Sequence, residues 1–332
     1  MSNTYNHHHP LNSLPIGYCF NEFEIETIIG KGESGVVYRA WDHRLKCMVA
    51  IKEYIPSSLV TRGRDLELKL RRKDFQEKFQ NGLTSFARGA HVMSCFQHPC
   101  LPFFRSFWQK NHTAYIARSF YNGITLKKLL ATQAETINQR WICRFLYSLL
   151  DAINMIHHSD YLHGNIALDN ILIQENEIPI LLGLGSARKL TDHFPNEPDV
   201  TLRSGFTPLE QYTTHDDRQQ QKGPWTDIYA LGAILHTLIA GTPPPVSIVR
   251  NIEDHYQPLV ERRPAGYSLS FLHAIDCALA IQPAERPASI PQLMALIESS
   301  SKGISPTPLP LDSDPPADKL TNYPSPVEHG KK

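Results

Sequence analysis

The side chains that invite a chemical reading are suited to phosphate. The stretch "IGKGESGVVY" spaces Gly30, Gly32 and Gly35 as G-x-G-x-x-G, a pattern that can bring backbone close to phosphate but also fits many ordinary turns. The next element along the chain decides between the uses. A helix would come next in a dinucleotide-binding unit, whereas "GVVYRAW" reads as a strand. Further on, "VAIK" ends a second strand-like run on Lys52, a cation able to meet phosphate oxygens. The stretch "YLHGNIALDNILI" adds His163, Asp169 and Asn170. Other reactive types are scattered. The six cysteines, Cys19, Cys47, Cys95, Cys100, Cys143 and Cys277, form no C-x-x-C pair and are expected to be reduced, mostly buried thiols. His7, His8 and His9 have metal-binding chemistry, but a polar tail is the simpler reading.

Those stretches do not stand alone. After them come "LLGLGSAR", "TPLEQY", "TDIYALGAILHTLIAGTPPP" and "ERP". In this order and spacing the chain resembles the protein kinase superfamily, specifically bacterial Ser/Thr kinases of the kind carrying "AIKEYIP", "GPWTDIYALGA" and "EQY". The resemblance covers about Phe23 to Glu298 and implies a two-lobed α+β fold, with a small β-rich lobe and a large helical one. Asn165, Asn170 and Gly183 fall at the separations the family keeps between its catalytic Asp, its metal-binding Asn and its D-F-G Asp.

Set against that family, the chain lacks the acids that run the reaction. Phosphoryl transfer needs a base for the acceptor hydroxyl, oxygens that hold Mg²⁺, and a strand lysine pinned by a helix glutamate. The base position is Asn165, and an amide cannot accept the proton; such help is typically worth ~10²–10⁴ in rate. The D-F-G Asp position is Gly183, which offers no oxygen ligand to a hard cation. The helix Glu position is Gly89, and no acid occurs between Gly82 and His98 to replace it. The loop arginine that commonly pairs with a phosphorylated activation segment is Gly164. Asp169 and Glu33 are the acids left nearby.

The packing residues of the family are kept. His163, Leu184 and Met93 match its internal hydrophobic column, and Asp227 matches the residue that anchors it. Glu210 and Arg286 match the ion pair that braces the large lobe. The nucleotide pocket is mixed. Val37, Ala50 and Leu172 fit the apolar walls around adenine, and Tyr121 lies in the hinge. Lys52 and Asn170 remain, but Arg118 stands at the gatekeeper position with Ser119 after it. Arg118 either reaches solvent or another partner, or it narrows the pocket and meets phosphate, leaving the cleft net positive.

Elements able to position these groups are legible in the periodicity. From Phe23, alternating runs predict antiparallel strands, including "TAYIARSF". The charged stretch 57–80 predicts a loop leading into a helix over "FARGAHVMSCF". After Gly123, apolar faces at helical spacing predict helices over "LKKLLATQ", "RWICRFLYSLLDAINMIHHS", "DIYALGAILHTLIAG" and "SLSFLHAIDCALAI", with a strand pair "NILIQ" and "IPILLGL" between them. The expected division is a tail over 1–22, a small lobe over 23–121, a large lobe over 122–299 and a disordered Pro- and Ser-rich segment over 300–332.

Bulk properties narrow the function. Thirty-three basic residues balance 33 acidic ones, against the basic field that general nucleic-acid binding needs. No apolar run approaches the ~20 residues of a membrane span, and no signal peptide is evident, so a cytoplasmic location is expected. The leading expectation is a pseudokinase that binds or scaffolds another protein, such as a kinase, a phosphatase or a secretion or signalling assembly. The alternatives are a weak Ser/Thr kinase that recruits Glu33 or Asp169, and a sensor that binds ATP without Mg²⁺.

Overall fold

Alternation along three neighbouring strands sets the plan of the small lobe. In a computed structural model describing residues 12–190, 202–212 and 222–298, β1 (Cys19–Phe20), β2 (Phe23–Gly32), β3 (Gly35–Asp42), β4 (Cys47–Tyr54), β7 (Phe104–Lys110) and β8 (Thr113–Ser119) form one antiparallel sheet in the order β1-β2-β3-β4-β8-β7. Side chains of a strand alternate between faces. Tyr38, Ala40, Val49, Ile51, Tyr115 and Ala117 therefore share a fully buried outer face. Val37, Ala50, Lys52 and Arg118 share the inner one.

Something must cover the outer face, and part of the cover differs from expectation. The sequence reads 12–22 as tail, yet Leu14 and Phe20 are buried against that face, and Phe20 packs on Trp108 and Tyr115. Two apolar residues in a polar stretch show no period, so only the uncovered sheet explains them. The charged stretch likewise holds a hairpin, β5 (Val60–Arg62) with β6 (Leu68–Leu70), before the helix begins. A buried polar hub ties these pieces together. Glu53 accepts from Tyr38 (2.7 Å), Tyr115 (2.6 Å) and Arg62 (2.6 Å), and Tyr38 in turn accepts from the Leu14 amide. Burial and the adjacent Glu53 push both tyrosine pKa values far up, so the hydroxyls remain donors.

The helix α1 (Gln76–Cys95) crosses to the second core, which holds α2 (Leu126–Thr132), α3 (Gln139–His158) and α4 (Pro224–Ala240). Asn138 caps α3 by accepting from the Trp141 amide. α4 is buried on nearly every side; it starts at Pro224 and stops at Gly241 in the left-handed region. Short strands β9 (Gly123–Thr125), β10 (Tyr161–Leu162), β11 (Ile171–Gln174), β12 (Pro179–Leu181) and β13 (Arg188–Lys189) lie between these helices in the chain, with β12-β11-β9 in one sheet and β10-β13 in another. Helices α5 (Ser247–Ile252), α6 (Leu259–Arg262), α7 (Leu269–Ala278) and α8 (Ile290–Glu298) complete the large lobe. The architecture is the two-lobed α+β fold. Residues 1–11, with the three histidines, and 299–332 lie outside the described residues.

All six cysteines are free, but only Cys100 is buried; Cys19 and Cys95 are exposed, against the expectation of mostly buried thiols. Among the described residues no helix is long and apolar enough to cross a membrane.

Candidate functional site

The loop after β10 is held from below by Asp227 of α4. Its carboxylate accepts from the His163 amide (2.9 Å), the Gly164 amide (2.8 Å) and the His157 ring (2.9 Å). Burial works to raise the Asp227 pKa, but the His157 hydrogen bond and the neighbouring charge and amides outweigh it and lower it. His163 is fully buried, and that burial lowers its pKa. Its Nε2 lies 3.1 Å from the Leu182 carbonyl, and its Nδ1 accepts from the Asn165 amide. The network assigns a neutral ring with the proton on Nε2. Gly164 sits at φ +67°, a backbone that glycine adopts without strain.

Asn165 stands at the base position with its amide already engaged. Its Oδ1 accepts from Arg203 Nε (2.9 Å), and Arg203 also grips both Asp169 oxygens at 2.7 and 2.8 Å. Sequence reasoning missed Arg203, since "TLRSGF" carries no motif and the pairing arises only from the chain's return to the loop. Asn170 donates to the Asn165 carbonyl (2.7 Å). Its side chain faces Gly183, which has φ +90° and no side chain to answer it. Asn170 is thus the one metal-type donor of the family's pair that persists. Among the described residues no cluster of three His, Cys, Asp or Glu is present. The donors do not fit a magnesium cage.

Helix α1 reaches this turn through bare backbone. A Cβ built on Gly89 would lie 2.5 Å from the Gly185 carbonyl oxygen and 3.0 Å from its Cα. The helix and the "GLG" turn therefore touch where a glutamate side chain would have to leave the helix. Arg188 donates to Ser85 of α1 (3.1 Å), adding a second tie. Met93 and Leu184 are buried in one apolar cluster beside this contact.

The cleft face of the sheet carries three cations with unequal neighbours. Arg39 pairs with Glu26 at 2.9 Å. Lys52 lies opposite Val37 and Ile116, and Arg118 opposite Ala50. Among the described residues neither the Lys52 nor the Arg118 side chain makes a hydrogen bond or an ion pair. Lys52 lies 5.9 Å from the Phe86 ring centre. Burial lowers the Lys52 pKa, and the charge of Arg118 lowers it further. Burial brings Arg118 down to about 10, with only the Tyr121 phenol favouring its charge. Arg118 is half-buried, on the same sheet face as Ala50 and Lys52. The Tyr121 hydroxyl itself is taken up behind the hinge, accepting from the Phe103 amide (3.1 Å) and reaching the Leu101 carbonyl.

In the glycine hairpin, Gly30 and Gly32 lie on β2, and Gly35 opens β3 opposite Gly32, with Glu33 exposed at the tip. Only Gly35 is forced, because a Cβ there would run into the Glu53 carbonyl. Val37 and Leu172 are half-buried and Ala50 is buried. Glu210 and Arg286 form a fully buried two-point pair (2.7 and 3.2 Å), supported by Thr226 and three backbone carbonyls.

Comparison with known proteins bears on the fold and the family. The protein kinase domain family matches residues 23–295. Serine/threonine-protein kinase pkn3 of Myxococcus xanthus is 27% identical over 296 residues, 85% of this chain and 50% of its own length. PknB of Mycobacterium tuberculosis is 24% identical over 287 residues, 83% of this chain and 42% of its own length. STE20-related kinase adapter protein alpha of Mus musculus is 27% identical over 182 residues, 54% of this chain and 37% of its own. The chain spans half or less of the length of these curated relatives. The solved structure of PpkA-294 in its apo form matches with a TM-score of 0.78 and 53% identity, over 86% of this chain and 100% of that one. With the family matching most of the chain and its packing residues in place, this chain belongs to the protein kinase domain family.

Proposed function

We propose that this chain is a pseudokinase: a kinase-shaped protein that binds or regulates another protein and does not usefully transfer phosphate. The observation that carries this reading is the backbone contact between Gly89 and Gly185. It occupies the space from which a helix carboxylate would reach Lys52, while Asn165 and Gly183 supply neither base nor metal ligand. A weak Ser/Thr kinase that recruits other acids finds less support. Asp169 is already held by Arg203, and Glu33 sits exposed at a hairpin tip. One relative is itself called a kinase adapter protein, which fits a partner-directed role. The partner would be a protein: a kinase, a phosphatase or a secretion or signalling assembly. Nucleic acid is disfavoured by the balanced charge, and a cytoplasmic setting suits free thiols.

A second reading is favoured by the two cations that have no acidic partner among the described residues. With Lys52 and Arg118 in the cleft, ATP would be taken without Mg²⁺ and would act as a signal rather than a substrate. The test of the main reading is incubation of the full chain with radiolabelled ATP and a generic protein acceptor, with Mg²⁺ or Mn²⁺. No incorporation above the Lys52→Ala variant is expected. Label that appears in the wild type and vanishes in that variant overturns it.

A further inference from the structure

On the inner face of the small-lobe sheet, β4 and β8 are directly paired, with Lys52 opposite Ile116 and Ala50 opposite Arg118. Lys52 and Arg118 are thus diagonal neighbours, ~7–8 Å apart at the backbone in such a pair. Both have long stems, so their charged ends can converge. The third cation of that face, Arg39, is neutralised by Glu26. Among the described residues Lys52 and Arg118 have no acidic partner, and the positions where the family carries acids near this lysine are Gly89 and Gly183. Two half-buried like charges side by side raise the free energy of the empty protein. Burial lowers both pKa values, and Arg118 lowers that of Lys52 further, which is the electrostatic sign of that cost.

We propose that Lys52 and Arg118 together form a direct phosphate site at the back of the cleft, whose preferred ligand is a polyphosphate chain free of metal. Arg118 is its determinant. The inference rests on the reading of the cleft as a binding site without phosphotransfer, and deepens it by naming the ligand's chemistry and the residue that selects it. A guanidinium offers a planar fork that matches two phosphate oxygens, and the lysine supplies a point charge beside it. Two protein cations here take over the role that a divalent ion plays in neutralising phosphate charge. Magnesium bound to the ligand would remove negative charge from it and bring a third cationic centre towards Lys52 and Arg118, neither of which is paired with a carboxylate among the described residues. Magnesium is therefore an antagonist of binding at this site. The same chemistry is offered by a nucleoside triphosphate and by inorganic tripolyphosphate, which differ only in the base that Val37, Ala50 and Leu172 would enclose.

Calorimetric titration of the full chain separates these cases. Ligands are ATP, inorganic tripolyphosphate and adenosine, each with a chelator or with excess Mg²⁺. ATP is expected to bind in chelator and to weaken several-fold with Mg²⁺, while adenosine alone binds far more weakly. Tripolyphosphate binding as well as ATP identifies the phosphate chain as the whole ligand; tighter ATP binding adds the base. Arg118→Met is expected to lose about tenfold to a hundredfold in affinity, and Arg118→Lys to recover part of it. In the ligand-free state Arg118→Met is expected to melt higher than wild type, since it removes an uncompensated charge; a merely structural arginine would do the reverse. Adenosine binding as tightly as ATP, Mg²⁺ strengthening the complex, unchanged affinity in a folded Arg118→Met, or no binding by ATP and tripolyphosphate overturns the proposal. None of these outcomes touches the pseudokinase reading, which fails only on measured phosphate transfer.

Discussion

Gly89 and Gly185 touch, but they are not equivalent. A methyl at Gly89 meets a carbonyl oxygen at 2.5 Å, whereas one at Gly185 finds its nearest neighbours at 3.8 and 3.9 Å, an ordinary contact. Replacing glycine by alanine inside a helix gains ~1 kcal/mol, and forcing a group into a packed contact costs ~1–3 kcal/mol. The clash should win. Gly89→Ala is expected to lose up to about 2 kcal/mol in urea unfolding, while Gly185→Ala stays near neutral; a stabilised Gly89→Ala would show that helix and turn separate easily. The Arg286–Glu210 pair, with both side chains fully buried, sets the other extreme. Arg286→Ala leaves a buried carboxylate without its cation, with Thr226 still donating to it, and should cost ~3–5 kcal/mol, read as a large fall in the same midpoint. At this scale the sequence was informative wherever a motif fixes one residue, as at His163, Asp227, Glu210 and Arg286. It was silent on Arg203, whose hold on Asn165 and Asp169 depends on where the segment before the "TPLEQY" motif comes to rest.

At the scale of elements, the small lobe depends on a strap that lies outside the family's motifs. Residues 12–20 close the outer face of the sheet, and Tyr38 is the fastener between Leu14 and Glu53. Tyr38→Phe keeps the ring and removes both bonds, leaving Glu53 with two of its three donors. A loss of about 1–2 kcal/mol is expected, together with faster amide exchange at Leu14, measurable by hydrogen-exchange mass spectrometry. Unchanged exchange would mean that the strap is held by its other contacts, the burial of Leu14 and Phe20 and the bonds of Asn12 with Arg62. Long amphipathic helices such as α3 were legible because apolar residues recur over five turns. The strap, the β5–β6 hairpin and β7 were not. The first two are short or polar, and their reason for being there is the exposed face of another element.

For the molecule as a whole, buried histidines make stability depend on acidity. His236 is buried, its Nδ1 lies 3.1 Å from the Thr242 carbonyl, and burial lowers its pKa to about 4, with Arg262 and Arg250 adding to the effect and Asp276 opposing it. The unfolded chain, with a histidine near 6.5, binds a proton that the folded one refuses. Stability is therefore full above about pH 6.5 and falls as pH drops towards 4, by ~3 kcal/mol in all for this residue. The lowered pKa of His163 acts in the same direction. Urea midpoints should fall between pH 7 and 5, and His236→Asn should flatten that limb; equal slopes for the two proteins would remove His236 as the cause.

On the pseudokinase reading proposed above, main chain at Gly185 also closes the road back to catalysis. A glutamate put into the helix collides with the turn before it can reach Lys52, and an aspartate put into the turn at 183 must adopt a left-handed backbone beside Asn170. Either change alone costs free energy and restores nothing. Selection schemes that test substitutions one at a time would climb no slope here. On that reading, activity returns only when the helix is moved outward and several acids are introduced at once.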